Sequence, residues 1–128
     1  MPSRFFLSAK IHGATVTGAK VDYEGSLSID PRLMAAVGIL PFERVDVYNL
    51  DNGERLTTYA IVGGPGEVCL NGAAALRGEP GQRVIVAAYA LVDERELAAF
   101  RPKIAIVDKD NAVVSLRERT VFPDPDAA

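Results

Sequence analysis

The stretch VDVYNLDNGERLTTYAIVGGPGEVCLNG, residues 45–72, decides the fold class of this chain. It contains three apolar runs rich in Val, Ile, Tyr and Thr, a composition typical of β-strands. DNG at 51–53 and GGPG at 63–66 separate these runs, and NG at 71–72 follows the third. Gly, Pro, Asn and Asp each favour turns for a conformational reason of their own. We therefore predict three short strands joined by turns.

The same pattern extends outward over the rest of the chain. EPG at 79–81 and DKDN at 108–111 are further turn signals. The other segments with strand composition are RFFLSA, ATVT, SLSI, RVIVAAYALV, KIAIV and AVVSL. Many short strands favour a small closed barrel, because closure removes the unpaired edges of an open sheet. We predict an all-β or nearly all-β fold, and the pattern leaves the strand order open.

Two segments have the pattern of short helices. In DPRLMAAVG, Asp30 suits the N-cap, Pro31 the first turn and Gly38 the C-cap. The second is DERELAAF, with Asp93 as its cap. We expect both helices to connect strands locally, and the tail PDPDAA at 123–128 to be disordered.

Length and composition bound the class of protein. With 128 residues, of which 48% are hydrophobic and 24% charged, the chain suits one globular domain. A net charge of -3 without a basic stripe argues against nucleic acid as a partner. No apolar run approaches the roughly 20 residues that cross a bilayer, and the first residues lack an export signal, so we expect a cytoplasmic protein without a membrane partner. Cys69, the only cysteine, excludes a disulfide framework and is expected in the core.

The usual constellations of catalytic residues are missing from the sequence. His12 is the only histidine, and no GxSxG motif is present to begin a Ser/His/Asp triad. No HExxH or paired ligand spacing indicates a metal site, and GGPG lacks the Lys and Ser/Thr of a phosphate-binding loop. If the chain is an enzyme, its reactive group is an unusual one.

The pair Gly25-Ser26, within YEGSLSID, offers such a group. A serine hydroxyl can attack the carbonyl of the preceding residue and convert the peptide bond into an ester, and glycine permits the strained backbone that this requires. Elimination then leaves dehydroalanine, which hydrolyses to a pyruvoyl group. A Gly-Ser pair is more often a turn or a strand end, so on these two residues alone the ordinary structural interpretation is the commoner one.

The segments around this pair resemble the bacterial aspartate 1-decarboxylases. KIHGATVTGAKVDYEGSLSID is similar to the start of that family, which carries Lys-Ile-His, Thr-Val-Thr and Tyr-x-Gly-Ser segments. AAVGIL at 35–40, VDVYNLDNGERLTTYAI at 45–61 and NGAAA at 71–75 follow in the family's order. The resemblance spans about residues 4–92, and several independent motifs agree in order and separation.

The resemblance implies a fold, a reaction and an assembly. The implied fold is mainly β, a six-stranded double-psi β-barrel with short helices, in a homotetramer with active sites between subunits. The single domain, residues 1–128, would cut itself between Gly25 and Ser26 into chains 1–25 and 26–128. The implied reaction converts L-aspartate to β-alanine and carbon dioxide for pantothenate and coenzyme A synthesis. Its cofactor would be the pyruvoyl group derived from Ser26, without pyridoxal phosphate or metal, and a maturation factor stays open as a partner.

The resemblance also implies catalytic and self-processing roles. Ser26, as the pyruvoyl group, would form a Schiff base with the substrate, and Tyr59 would be the proton donor, since a phenol is a reasonable acid towards a carbanion. Thr58 would hold the carbonyl oxygen during self-cleavage and later contact substrate. Asn71 would orient the carbonyl of Gly25. Tyr and Thr in a strand more commonly serve packing and β-propensity, and the matching motif favours the functional interpretation.

The implied substrate-binding residues include two cations, as a dicarboxylate requires. Arg55 can bind a carboxylate through two parallel hydrogen bonds, and Lys10 supplies a point charge, although either could be an ordinary surface residue. Gly72, Ala73 and Ala74 match a segment whose backbone touches substrate, where small side chains let amides approach closely.

Strand geometry restricts the segment LTTYA. Neighbouring residues of a strand point to opposite faces, so Thr57 and Thr58 cannot both point inward. If Thr58 and Tyr59 both act, either the backbone bends there or one of them acts through its main chain.

The chain departs from the family's pattern beside His12. The family usually has a basic residue where Gly13 stands, which puts in doubt any salt bridge that this side chain would form. His12 itself is left without a role, since a lone histidine is more often structural. The loop at 63–66 and the C-terminal third look divergent, and no role is carried over to them.

Two other functions stay open at this point. One is a double-psi barrel that binds a ligand or a partner without cutting itself. The other is a pyruvoyl decarboxylase for another amino acid, against which the pair of cationic residues argues.

Overall fold

A computed structural model describes residues 2–123 and shows a mainly β chain. This part of the chain contains nine strands, one α-helix and two short 3-10 helices. The strands are β1 (Ser3–Thr15), β2 (Gly18–Lys20), β3 (Ser26–Ile29), β4 (Arg44–Asn49), β5 (Arg55–Val62), β6 (Val68–Asn71), β7 (Arg83–Asp93), β8 (Lys103–Val107) and β9 (Val113–Glu118). The helix α1 spans Pro31–Val37, and the 3-10 helices span Gly72–Arg77 and Glu94–Glu96. The predicted mainly β class is confirmed. Apart from Pro123, the predicted disordered tail lies outside the described residues.

The strands pair in the order β2-β6-β3-β5-β4-β7-β1-β8-β9. Parallel and antiparallel pairs are mixed: β3 runs parallel to β5 and antiparallel to β6, and β1 runs antiparallel to β7 and parallel to β8. Most of these neighbours are distant in sequence, which is why local patterns predicted the strands but not their order. Within residues 2–123, no helix is long and apolar enough to span a membrane.

The first strand is longer than the sequence predicted. RFFLSA and the beginning of ATVT belong to one strand, Ser3–Thr15, while Val16 and Thr17 lie outside it. The pairing of β1 with β7 shifts register between His12 and Ala14, where Gly13 has a φ of 84°. Glycine adopts this conformation without the strain that a side chain would cause, so the strand continues through a bulge instead of ending.

One of the two predicted helices forms as expected. The side chain of Asp30 accepts a hydrogen bond from the backbone N–H of Arg32, and Gly38 ends α1 with a φ of 81°. The helix predicted in DERELAAF forms only in part, as the 3-10 helix Glu94–Glu96 capped by Asp93. Leu97 behind it is buried, but the segment is short and Pro102 follows it closely, so no longer helix forms there.

The core lies on one face of β4, β5 and β7. Val45 and Val47 of β4 are 1% exposed, and their partners across the β4–β5 pair are Thr58 and Leu56. Since side chains alternate along a strand, the intervening residues point to the opposite face. This outer face carries Asp46, Tyr48, Arg55, Thr57 and Tyr59.

Candidate active site

Ser26 begins β3 at the point where the chain passes from the surface into the core. Residues 21–25 are exposed, whereas Ser26 is 1% exposed. Leu27 pairs with Ala60 of β5, and on the other side Ser26 pairs with Asn71 of β6. The peptide bond between Gly25 and Ser26 is therefore at the boundary between solvent and a fixed sheet.

The hydroxyl of Ser26 has defined partners. It donates a hydrogen bond to the backbone carbonyl of Glu24 at 3.1 Å, and its oxygen accepts one from Nδ2 of Asn71 at 3.0 Å. Asn71 is also 1% exposed, so no bulk water competes for this contact. In the structure, Asn71 is thus hydrogen-bonded to the hydroxyl of Ser26, whereas the sequence predicted a contact with the carbonyl of Gly25.

Two further polar groups hold the side chain of Asn71. Its Nδ2 also donates to the hydroxyl of Ser28 at 2.9 Å, and the thiol of Cys69 donates to its Oδ1 at 3.4 Å. Burial raises the pKa of the Cys69 thiol, which keeps the thiol protonated and able to donate near neutral pH. Cys69 is buried, as the sequence predicted.

Gly72 packs its backbone against the cleavage site. Its φ is +66°, and a Cβ built on it would lie 2.6 Å from Cα and 2.7 Å from N of Gly25. A side chain does not fit at either distance, so only glycine allows this approach. The 3-10 helix Gly72–Arg77 that begins here was not predicted, because Asn-Gly was interpreted as a turn alone.

An open groove of about 440 Å³ lies beside Gly25. Among the predicted residues, Gly25, Thr58, Tyr59, Ala73 and Ala74 line it together. The sequence did not indicate the other lining residues, which are Leu56, Thr57 and Arg77. Arg77 forms an ion pair with Glu54, so the groove contains a cation that is already partnered.

Thr58 and Tyr59 lie on opposite faces of β5, as strand geometry requires. Thr58 pairs with the buried Val45, and Tyr59 pairs with Arg44 on the outer face. The ring of Tyr59 lies 6.1 Å from that of Phe42, centroid to centroid. Both residues nevertheless line the groove.

Arg55 and Lys10 do not reach this groove in the single chain. The guanidinium carbon of Arg55 lies over the ring of Tyr48, 4.5 Å from its centroid, on the outer face. Lys10 belongs to a row that runs across the sheet through Ala87 and Asp46 to Thr57. Three strand spacings put Lys10 roughly 14 Å from Thr57.

The outer face carries a polar network around Tyr48. Its hydroxyl bonds that of Tyr89 at 2.9 Å and donates to Asp46 at 3.3 Å, and Asp46 accepts a further hydrogen bond from Thr57 at 2.7 Å. The hydrogen bond with Tyr89, together with burial, raises the pKa of Tyr48 well above its usual range. Tyr48 is therefore a neutral support for Arg55.

His12 and Gly13 lie on β1, away from Ser26. His12 pairs with Ile85 and Ile106 and acquires no functional partner, so its role stays open. Arg83 donates from Nε to the carbonyl of Gly13 at 3.0 Å, and a Cβ at position 13 would collide with its guanidinium. A cationic group thus lies beside position 13 even though the residue there has no side chain.

No group of three or more His, Cys, Asp or Glu side chains suited to a metal ion occurs within residues 2–123.

Comparison with known proteins identifies one family. The family model described as aspartate decarboxylase matches residues 2–114. A protein from Hydrogenobaculum sp. (strain Y04AAS1), named aspartate 1-decarboxylase, is 53% identical over 114 residues, which cover 89% of this chain and 91% of that protein. Proteins of the same name from Syntrophobacter fumaroxidans and Carboxydothermus hydrogenoformans are 52% and 47% identical, over 88% and 90% of this chain and 92% of each relative.

Proposed function

Because the chain belongs to the aspartate decarboxylase family, we propose that it removes the α-carboxylate of L-aspartate to give β-alanine and carbon dioxide. It is a carboxy-lyase that supplies β-alanine for pantothenate synthesis. The observation that carries this function is the buried hydroxyl of Ser26, bonded by Asn71 at the edge of a groove that Thr58 and Tyr59 line.

The proposed maturation begins with attack of Ser26 Oγ on the carbonyl carbon of Gly25. The C–O bond forms, the C–N bond of the peptide breaks, and the hydroxyl proton ends on the freed amine. Loss of the α-proton of Ser26 then breaks its Cβ–Oγ bond and releases residues 1–25 with a C-terminal carboxylate. Water hydrolyses the remaining dehydroalanine, ammonia leaves, and residues 26–128 begin with a pyruvoyl group.

The surroundings of Ser26 support this sequence of steps. Negative charge develops on Oγ when it leaves in the elimination, and the amide N–H of Asn71 stabilises it there. Gly72 allows its own backbone to approach the scissile segment. Thr58 lines the groove beside Gly25, where its hydroxyl is suited to a developing oxyanion.

The residues around position 26 fit a small ketone at the chain end. Gly25 of the cleavage site lines the groove together with the small residues Ala73 and Ala74, so a substrate can approach the backbone closely. When present, the pyruvoyl group supplies a carbonyl that condenses with the substrate amine and an electron sink for the departing carboxylate. Tyr59, at the groove, donates the proton to the carbon that has lost its carboxylate.

The substrate's carboxylates need cations, which a second copy of the chain supplies in this proposal. Arg55 and Lys10 lie on the outer face, outside the groove of their own chain. The same face exposes apolar side chains: Phe5 is 76%, Tyr89 42% and Leu91 62% exposed. Exposed apolar area of this kind is typical of a subunit interface. We therefore propose a homotetramer of cytoplasmic double-psi barrels, in which Arg55 and Lys10 reach a neighbour's groove.

The substrate is tested by offering the purified protein L-aspartate and, separately, L-glutamate, and by measuring β-alanine and released carbon dioxide. We expect turnover of aspartate and none in Ser26→Ala, which lacks the nucleophile. Turnover of another amino acid with no reaction of aspartate would contradict the substrate, and turnover by Ser26→Ala would contradict the reactive group.

A further inference from the structure

The four residues around Asn71 form a compact block between two antiparallel strands. Ser26 pairs with Asn71, and Ser28 pairs with Cys69. Residues two apart on a strand share a face, so all four side chains point to the same side of the β3–β6 pair. Each is buried: Ser26, Asn71 and Cys69 are 1% exposed and Ser28 is 8% exposed. The hydrogen bonds among them are therefore isolated from solvent.

The protons in this block can be assigned from the partners of Ser26. Its hydroxyl hydrogen is directed to the carbonyl of Glu24, so towards Asn71 its oxygen can only accept. Asn71 must then present its NH2 group to Ser26 and its carbonyl oxygen to the opposite side. There the thiol of Cys69 donates to Oδ1, while the second hydrogen of Nδ2 goes to Ser28.

We infer that Ser28 and Cys69 are positioning residues for self-cleavage, which hold the Asn71 amide with its NH2 group facing Ser26. The inference rests on the proposed cleavage between Gly25 and Ser26. A flipped amide would direct a carbonyl oxygen at Oγ of Ser26, which gains negative charge as it leaves in the elimination, and would oppose this step that cuts the chain. Cys69 selects the productive orientation, because its thiol donates to Oδ1 and loses this acceptor when the amide flips. Ser28 accepts from the second hydrogen of Nδ2 and fixes the position of the amide group.

The inference predicts slower self-cleavage when either contact is removed. Ser28→Ala and Cys69→Ala should each slow cleavage roughly five- to tenfold, the equivalent of about one hydrogen bond. Cys69→Ser restores a donor in a smaller side chain and should cleave at close to the parental rate. Ser115→Ala, on β9 at the far end of the strand order, is a matched control that should have no effect.

Cell-free synthesis followed by a time course of intact mass spectra gives the fraction of cut chain for each variant. Thermal unfolding of the uncut chains shows that the variants are folded, and the release of carbon dioxide per pyruvoyl group shows that the cut chains are otherwise normal. We expect only the cleavage rate to fall, and Cys69→Ser to restore it.

Two results would overturn the inference while leaving the proposed function intact. One is cleavage of Ser28→Ala and Cys69→Ala at the parental rate. The other is equal slowing in Cys69→Ser and Cys69→Ala, which would assign the effect to packing. A parental chain that stays uncut in a preparation that decarboxylates aspartate would instead overturn the proposed self-cleavage, and this inference with it.

Discussion

At position 72, both the backbone conformation and the close packing require glycine. Its φ of +66° and the 2.6 Å that would separate an added Cβ from Cα of Gly25 both exclude a side chain. We predict that Gly72→Ala displaces the scissile segment and slows self-cleavage at least tenfold, measured by the fraction of cut chain over time.

Gly38→Ala is the matched control for this prediction. Gly38 has a similar φ of +81°, but nothing lies within 4 Å of the position of its Cβ. It should destabilise the fold by about 1 kcal/mol and leave cleavage unchanged. If Gly72→Ala cleaves as fast as Gly38→Ala, the contact with Gly25 has no role in maturation.

Tyr59 should affect decarboxylation but not maturation. Removing its hydroxyl in Tyr59→Phe keeps the ring against Phe42 and removes the proton donor, so kcat should fall on the order of 10²-fold or more while the chain is still cut. Tyr23→Phe, at a tyrosine that is 56% exposed, is the control. Normal turnover by fully cut Tyr59→Phe would assign the proton to another group.

Sequence motifs named candidate site residues but not the contacts between them. The resemblance pointed to Ser26, Asn71 and Thr58, whereas the structure shows that the partner of Asn71 is the hydroxyl of Ser26 and that Ser28 completes the contact. These bonds depend on the register of β3 against β6, which joins positions 45 residues apart. Local sequence carries no signal for such a pairing.

At the scale of elements, Asp30 joins a helix to a loop. Its carboxylate caps α1, pairs with Arg32 at 2.7 Å and accepts from the N–H of Gly66 at 2.7 Å. The hydrogen bond from Arg32 is the largest of the effects that lower the pKa of Asp30, to about 2. Asn111, with a φ of 63°, donates to the carbonyl of Gly66 and holds the same loop from the other side.

The lowered pKa of Asp30 predicts that the fold loses stability in acid. In the unfolded chain the Asp30 carboxyl titrates near pH 4. The contribution of Asp30 to the free energy of unfolding is therefore fully present above about pH 4 and is lost as the pH falls towards 2. Because Arg32 is largely exposed, we expect a contribution on the order of 1–2 kcal/mol. Asp30→Asn should lower the free energy of unfolding by that amount at pH 7 and by much less near pH 2. If the free energies of unfolding of the parental protein and of Asp30→Asn differed by the same amount at every pH, this prediction would be contradicted.

Elements that are stabilised locally were the predictable ones. The DNG turn joins β4 and β5, and Asp30 and Gly38 bound α1, as their residue types indicated. The helix predicted in DERELAAF forms only as the 3-10 helix Glu94–Glu96, because the segment is short and Pro102 follows it closely, which its cap does not offset. The length of β1 was missed because Gly13 forms a bulge within a strand, where the pattern indicated a break.

At the scale of the whole molecule, the composition and turn spacing predicted a mainly β fold. They could not predict the order of nine strands, because six of the eight neighbouring pairs join strands that are not consecutive along the chain. The same topology separates Arg55 and Lys10 from the groove, which a linear motif could not reveal.

The proposed sharing of sites between subunits can be tested by complementation. Ser26→Ala lacks the nucleophile and Arg55→Ala lacks the carboxylate-binding cation, so each should be inactive by itself. If a groove uses Arg55 of a second copy, mixed oligomers contain some grooves with both groups, and activity should return after the two are unfolded and refolded together. Failure to recover activity in oligomers of confirmed mixed composition, or full activity of a monomer on dilution, would contradict shared sites.

The intact mass of the purified, denatured protein tests the central claim most directly. Self-cleavage predicts two chains, residues 1–25 and 26–128, with the larger one lighter by one ammonia than a fragment that begins with serine. Ser26→Ala should give one chain of full length. A single uncut chain for the parental protein in a preparation that decarboxylates aspartate would contradict the assignment of Ser26 as the source of the reactive group.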